Sequence, residues 1–127
     1  VRRKKGRYKR GVHNSKKLTA PARYRSAWEL GYMQMLDDDL SVLAYEYEPF
    51  AIEYVSNVKT KRIRRYFPDF LITKTDDSKV LVEIKPLKRL STAKVVKKLM
   101  AAKAWCAQNN LVFLVITEVE LKQMGVL

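Results

Sequence analysis

The sequence predicts an α/β domain with a mixed sheet, on three observations. Short apolar, β-branched runs separated by polar turns fill the middle of the chain, and helical periodicity flanks them. A strand–helix–strand step near the end implies a parallel pair joined by a right-handed crossover, while the hairpin before it is antiparallel. The length, 127 residues with 47% apolar side chains, suits one domain with a real core.

Taken in order, Val1 to about Leu18 shows no apolar periodicity, so residues 1–18 are expected to form a flexible basic arm and residues 19–127 the folded domain. A helix is expected between Ala22 and Leu36, where Trp28, Tyr32 and Leu36 form one stripe. Thr19 and Ser26 are both candidate N-caps, and Asp37, Asp38 and Asp39 end the helix because acids are unfavourable at its C-terminus. Residues 43–55 read as a strand with an edge or bend at Pro49. A basic segment, Lys59 to Arg65, runs into the strand Tyr66 to Thr73. Thr75 to Ser78 turns the chain into a second strand, Val80 to Lys85, which Pro86 closes. A long helix, about Thr92 to Asn109, precedes Leu111 to Thr117, whose apolar run reads as a central buried strand. From Glu118 a frayed helical turn is expected.

With one cysteine, Cys106, and one histidine, His13, the chain has no internal disulfide, no four-ligand Cys/His zinc site and no evident nucleophile triad. Catalysis would have to run on carboxylates and lysine. Net charge is +13, and residues 1–25 hold 11 of the 26 basic residues with no acid. A cationic arm on a nearly balanced domain supplies a salt-sensitive attraction to phosphate backbones, and nucleic acid is the expected partner. No apolar run approaches the roughly 20 residues of a membrane span, so no membrane association is expected.

The chemistry concentrates in YFPDFLITKTDDSKVLVEIKP, residues 66–86. Glu83 and Lys85, two apart on a strand, share a face, with Ile84 turned the other way. If the hairpin pairs around its turn, Asp69 falls close across the ladder. Two adjacent carboxylates repel unless a cation lies between them. Mg²⁺ suits such a pair, since it takes oxygen ligands and often only one or two carboxylates beside waters and substrate phosphate. The Ile84 carbonyl is a further candidate ligand, and Lys85 is placed to assist a water attacking a phosphodiester. The plainer alternative is a surface Glu–Lys pair and an Asp in a turn.

Pro68-Asp69 followed by Glu83-Ile84-Lys85 resembles the PD-(D/E)xK nuclease superfamily. Tyr24-Arg25-Ser26-Ala27-Trp28-Glu29, Tyr47-Glu48-Pro49-Phe50 and Ala104-Trp105-Cys106 bring the resemblance closest to TnsA-like endonucleases and phage head-completion nucleases. It spans about Tyr24 to Glu118. The resemblance implies a restriction-endonuclease-like αβββαβ core, with Asp69, Glu83 and Lys85 catalytic in a Mg²⁺-dependent DNA endonuclease where Mn²⁺ substitutes. It also implies an acid on the first helix, matched by Glu29 as catalytic residue and candidate ligand. Against this, Ser26 to Glu29 fits a capping box, in which Glu29 serves the helix start.

DNA contacts are expected from Arg2, Arg3, Lys4, Lys5, Arg7, Lys9, Arg10, Lys16, Lys17, Arg23 and Arg25 in the arm and the segment after it. Arg62, Arg64, Arg65, Lys94, Lys97 and Lys98 are the candidates beyond it. The last six have plainer readings, as blunting of an edge strand or a solvated helix face. The implied setting is cytoplasmic, phage- or mobile-element-encoded and virion-associated in the phage case, with a homodimer or a phage or transposon protein as partner. A Holliday-junction resolvase of the same superfamily and a non-catalytic nucleic-acid-binding protein are the competing readings.

Overall fold

The computed structural model describes residues 10–127. The chain opens with β1 (Gly11–His13), which pairs antiparallel with β2 (Ala22–Tyr24). Residues 22–24, inside the range left open for the helix start, are extended, and of the two candidate caps Ser26 is the one used. Ala22 and Tyr24 point inward and Arg23 outward, a period of two that a helix cannot satisfy. Helix α1 (Ala27–Asp38) starts only after Ser26, whose hydroxyl accepts the Glu29 N–H at 3.1 Å. Such a cap is worth about 1 kcal/mol.

The C-terminal end of α1, where three acids cluster, is met by donors from the segment before β2 and by Tyr45. The Lys17 ammonium donates to the Leu36 and Asp39 carbonyls at 2.8 and 2.7 Å. Asp37 accepts the Ser15 and Tyr45 hydroxyls and contacts His13 Nε2 at 2.7 Å. Residues 11–18, expected in a flexible arm, are therefore fastened to the domain, and the expected boundary at residue 18 moves toward the N-terminus. Lys17 and His13 serve the fold.

The stretch expected as one strand over residues 43–55 divides into β3 (Val42–Tyr47) and β4 (Ile52–Asn57). Glu48, at φ 48°, and Pro49 break it between them. The basic segment turns at residues 59–61 and continues as a strand, β5 (Arg62–Tyr66), which forms a hairpin with β4 and takes Tyr66 from the strand expected to start there. Then come β6 (Phe70–Lys74), β7 (Lys79–Ile84), a short 3₁₀ turn at Leu87–Arg89, α2 (Ala93–Gln108), β8 (Val112–Ile116) and α3 (Glu118–Gln123). The last helix is capped rather than frayed: Thr117 and Glu120 form a reciprocal capping box, and Leu121 is fully buried.

The main sheet has the order β3-β6-β7-β8, antiparallel except for the parallel β7–β8 pair that α2 connects. With the β4–β5 hairpin set aside, the chain runs α1-β3-β6-β7-α2-β8, an αβββαβ order consistent with a restriction-endonuclease-like fold. β8 lies at the edge, not the centre. An apolar run cannot distinguish the two positions, and here only β7 pairs with it, leaving Val112 and Leu114 about half exposed.

Alternation along the strands sorts the core into two layers. Phe70, Ile72, Val82 and Ile84 face α1 and α3, where they meet Tyr32, Met33, Leu36 and Leu121. Leu71, Leu81 and Phe113 face α2 and the β4–β5 hairpin, meeting Tyr54, Tyr66, Ala102 and Cys106. Trp105 is half-buried, packed on Phe50 at 4.6 Å between ring centres. Glu83 belongs by alternation with Leu81, so it points into the α2 layer.

Candidate active site

The β6–β7 register pairs Phe70 with Val82 and Leu71 with Leu81. One step further toward the sheet end, Asp69 stands opposite Glu83. Both are nearly inaccessible, at 8% and 4% exposure. Asp69 Oδ2 accepts the Ile84 N–H at 2.7 Å, and Glu83 Oε1 accepts the Tyr66 hydroxyl at 2.7 Å. Lys85 Nζ sits 3.2 Å from Glu83 Oε2. The Lys85 N–H donates to the Ile116 carbonyl at 2.9 Å, which carries the β7–β8 ladder up to the site and holds the lysine backbone in place. The expected gathering of Asp69, Glu83 and Lys85 is thus present.

Burial raises the Asp69 carboxyl well above its ordinary range, and the Glu83 charge adds to this despite the Ile84 N–H. Glu83 is likewise raised by burial, with Lys85 and the Tyr66 hydroxyl pulling back without cancelling it. Two such acids side by side favour sharing a proton or taking up a cation. The donor set fits a hard divalent ion: two carboxylates, no sulfur or imidazole. Among the described residues no three His, Cys, Asp or Glu side chains gather at one metal-holding point, so the pair stands without a third protein acid.

Glu29 comes from the opposite layer. Its Oε1 accepts the Arg25 N–H at 2.7 Å and the Tyr47 hydroxyl at 2.9 Å. The cap reading is therefore realised in a variant form, with the residue before the N-cap as donor. Glu29 is nonetheless buried, and its charge contributes to the raised Asp69 carboxyl. Around the sheet end it shares with Ile84, Lys85 and Arg89 a cavity of ≈ 190 Å³.

The cationic candidates divide. Arg10, Lys16 and Arg23 are exposed; Arg25 forms an ion pair with Glu48. Arg65 covers the Phe67 ring at 5.4 Å. Arg62, Arg64, Lys94 and Lys97 line one cavity, and Lys98 reaches over the Tyr66 ring at 5.8 Å. Burial, then the charges of Lys94 and Lys85, hold the Lys98 ammonium below its ordinary range. Arg2, Arg3, Lys4, Lys5, Arg7 and Lys9 lie outside the described residues.

Sequence reasoning missed Tyr66 and Tyr47 as partners of the acids. The one available signal was nearness in sequence: Tyr66, at the end of β5, stands three residues before Asp69.

The family model for the TnsA-like endonuclease N-terminal domain matches residues 39–118. The head completion nuclease of Enterobacteria phage T4 is 36% identical over 73 residues, covering 58% of this chain and 45% of the phage protein. The chain thus spans less than half the length of that curated relative. The family match takes in both acids, Lys85, β3 to β8 and the connecting α2 across more than half of the chain, which belongs to the TnsA-like endonuclease N-terminal family.

Proposed function

We propose that this chain is a divalent-cation-dependent DNA endonuclease that hydrolyses phosphodiester bonds, with Mg²⁺ as the ion and Mn²⁺ as a working substitute. One observation carries the reading: two buried carboxylates stand side by side at the sheet end with a lysine 3.2 Å from one of them. Family membership and the name of the phage relative support it.

Asp69 and Glu83 would hold the ion. The Ile84 carbonyl is a further ligand: its N–H faces Asp69, and in an extended strand the carbonyl of the same residue faces the same side. When bound, the ion supplies charge neutralisation at the scissile phosphate and an acidic water. Lys85 is held by Glu83 where it can donate to a phosphate oxygen or take the proton of an attacking water. Tyr66 fixes the Glu83 carboxylate through Oε1, and the Ile84 N–H fixes Asp69. Glu29 adds negative charge at the sheet end while it anchors the start of α1. One such site hydrolyses one strand, so a double-strand cut needs a homodimer, a phage or transposon partner, or two successive nicks.

The deciding experiment incubates wild type and Asp69→Ala with supercoiled, linear and four-way DNA, in Mg²⁺ or EDTA. Metal-dependent cleavage by wild type, lost in Asp69→Ala while binding persists, is the expected outcome. Equal inertness of both proteins under all conditions overturns the nuclease reading and leaves a nucleic-acid-binding protein. Paired nicking confined to the junction would identify a resolvase instead.

A further inference from the structure

The β4–β5 hairpin and α2 enclose a second cationic feature beside the carboxylates. A cavity of ≈ 350 Å³ between them is lined by Arg62 and Arg64 from β5 and by Lys94 and Lys97 from α2, with Tyr54 among them. No carboxylate lines it. Lys97 Nζ donates to the Ser56 carbonyl at 2.8 Å and so clamps helix to hairpin. Arg62, Arg64 and Lys94 have no ion-pair partner among the described residues. Lys94 also lies one helical turn from Lys98, a like-charge pairing that is unfavourable without an anion.

The cavity lies along the strand that ends at the carboxylate pair. Arg62, Arg64 and Tyr66 share one face of β5, where same-face side chains repeat about every 6.6 Å. Tyr66 is the residue that donates to Glu83, so Arg64 and Arg62 lie one and two steps beyond it. Lys98, above the Tyr66 ring, bridges the two regions. The cationic groups offer hydrogen-bond donors alone, and Tyr54, at 6% exposure, presents no open ring for a base to stack on. Donors without a stacking platform suit the sugar–phosphate backbone rather than base edges.

We propose that this cavity is a subsite for a non-scissile phosphate of the DNA strand being cut, and that it selects which phosphodiester reaches Asp69 and Glu83. The inference rests on the endonuclease reading and adds a register to it: the held phosphate lies within about three linkages of the cut, on one side only.

The test uses a duplex carrying one uncharged methylphosphonate linkage, cleaved by wild type and by Arg62→Gln/Arg64→Gln in Mg²⁺ and mapped at nucleotide resolution. Wild type should show two minima, one at the modified linkage and one displaced by a fixed distance to one side. The displaced minimum should vanish in the variant, and likewise in Lys94→Gln. In parallel, duplex binding in EDTA is titrated against salt by fluorescence anisotropy. The slope of log affinity on log salt should fall by about 0.9 for each phosphate contact removed. A displaced minimum that persists in both variants, or an unchanged salt slope, overturns the subsite. Cleavage with a single minimum leaves the nuclease intact and removes the subsite. A reduced slope with no cleavage by wild type removes the nuclease and keeps the cavity as a backbone-binding site.

Discussion

Asp69 and Glu83 illustrate how a fold holds two acids where solvation alone would keep them apart. Each keeps one donor, the Ile84 N–H or the Tyr66 hydroxyl, and Lys85 offsets part of the charge. Because Tyr66 orients Glu83, Tyr66→Phe should raise the Mg²⁺ needed for half-maximal cleavage about tenfold or more with the fold intact, as loss of an outer-sphere partner commonly does. A metal titration of cleavage rate checks this, and an unchanged midpoint would remove Tyr66 from the site. Lys85→Ala should lower kcat by about 10²-fold or more with binding preserved, a loss typical of a removed donor to developing charge. Single-turnover kinetics separate the two. Glu29→Gln keeps an oxygen able to accept from Arg25 and Tyr47, so thermal stability should hold while cleavage falls. Full activity in that variant would reduce Glu29 to a helix anchor. The competition between cap and ligand was visible in the sequence, because Ser26 to Glu29 fits a cap pattern and an acid on an apolar side needs a partner. The choice of Arg25 and Tyr47 as partners was not, since it depends on how β3 crosses α1.

At the scale of elements, the segment before β2 depends on Asp37. Burial pushes that carboxyl up, but donors from Ser15, Tyr45 and His13 outweigh burial and hold it below its ordinary range. A lowered folded-state value means the contribution is fully present above the unfolded carboxylate's range, near pH 4, and lost as pH falls through the folded value. Thermal melts should therefore show wild type losing more stability than Asp37→Asn as pH drops from about 6 to 3. Parallel curves would show that Asp37 does not hold this segment. The hairpin β6–β7 was legible because its turn, Thr75 to Ser78, and its alternation agree on one register. The strand character of Arg62 to Arg65 was hidden, since four of the five side chains of β5 are exposed and only Tyr66 is buried. A strand that grips the domain by one residue leaves almost no hydrophobic pattern.

Across the whole molecule, the two layers converge on one end of the sheet. There the α2 layer supplies Asp69, Glu83, Lys85 and Lys98, and the α1 layer brings Glu29 close. A buried pair of like charges weakens the ion-free fold, so Asp69→Asn should melt higher than wild type in EDTA near neutral pH. Mg²⁺ should raise the wild-type melting temperature and leave the variant unmoved. Differential scanning fluorimetry with and without the ion decides this; equal responses would mean that Asp69 does not bind it.

Local pattern along the chain was enough for the α/β order, the charged hairpin and the shared face of Glu83 and Lys85, because strand periodicity and turn chemistry are local. It also indicated Asp69, through a hairpin register that its turn defines. Long-range contacts were needed to show that β8 is an edge strand, that Lys17 and His13 close α1, that Tyr66 holds Glu83, and that Arg62, Arg64 and Lys94 share one cavity. Those relations arise where distant segments meet, and no local pattern records which cation finds an acid, a carbonyl or an open cleft.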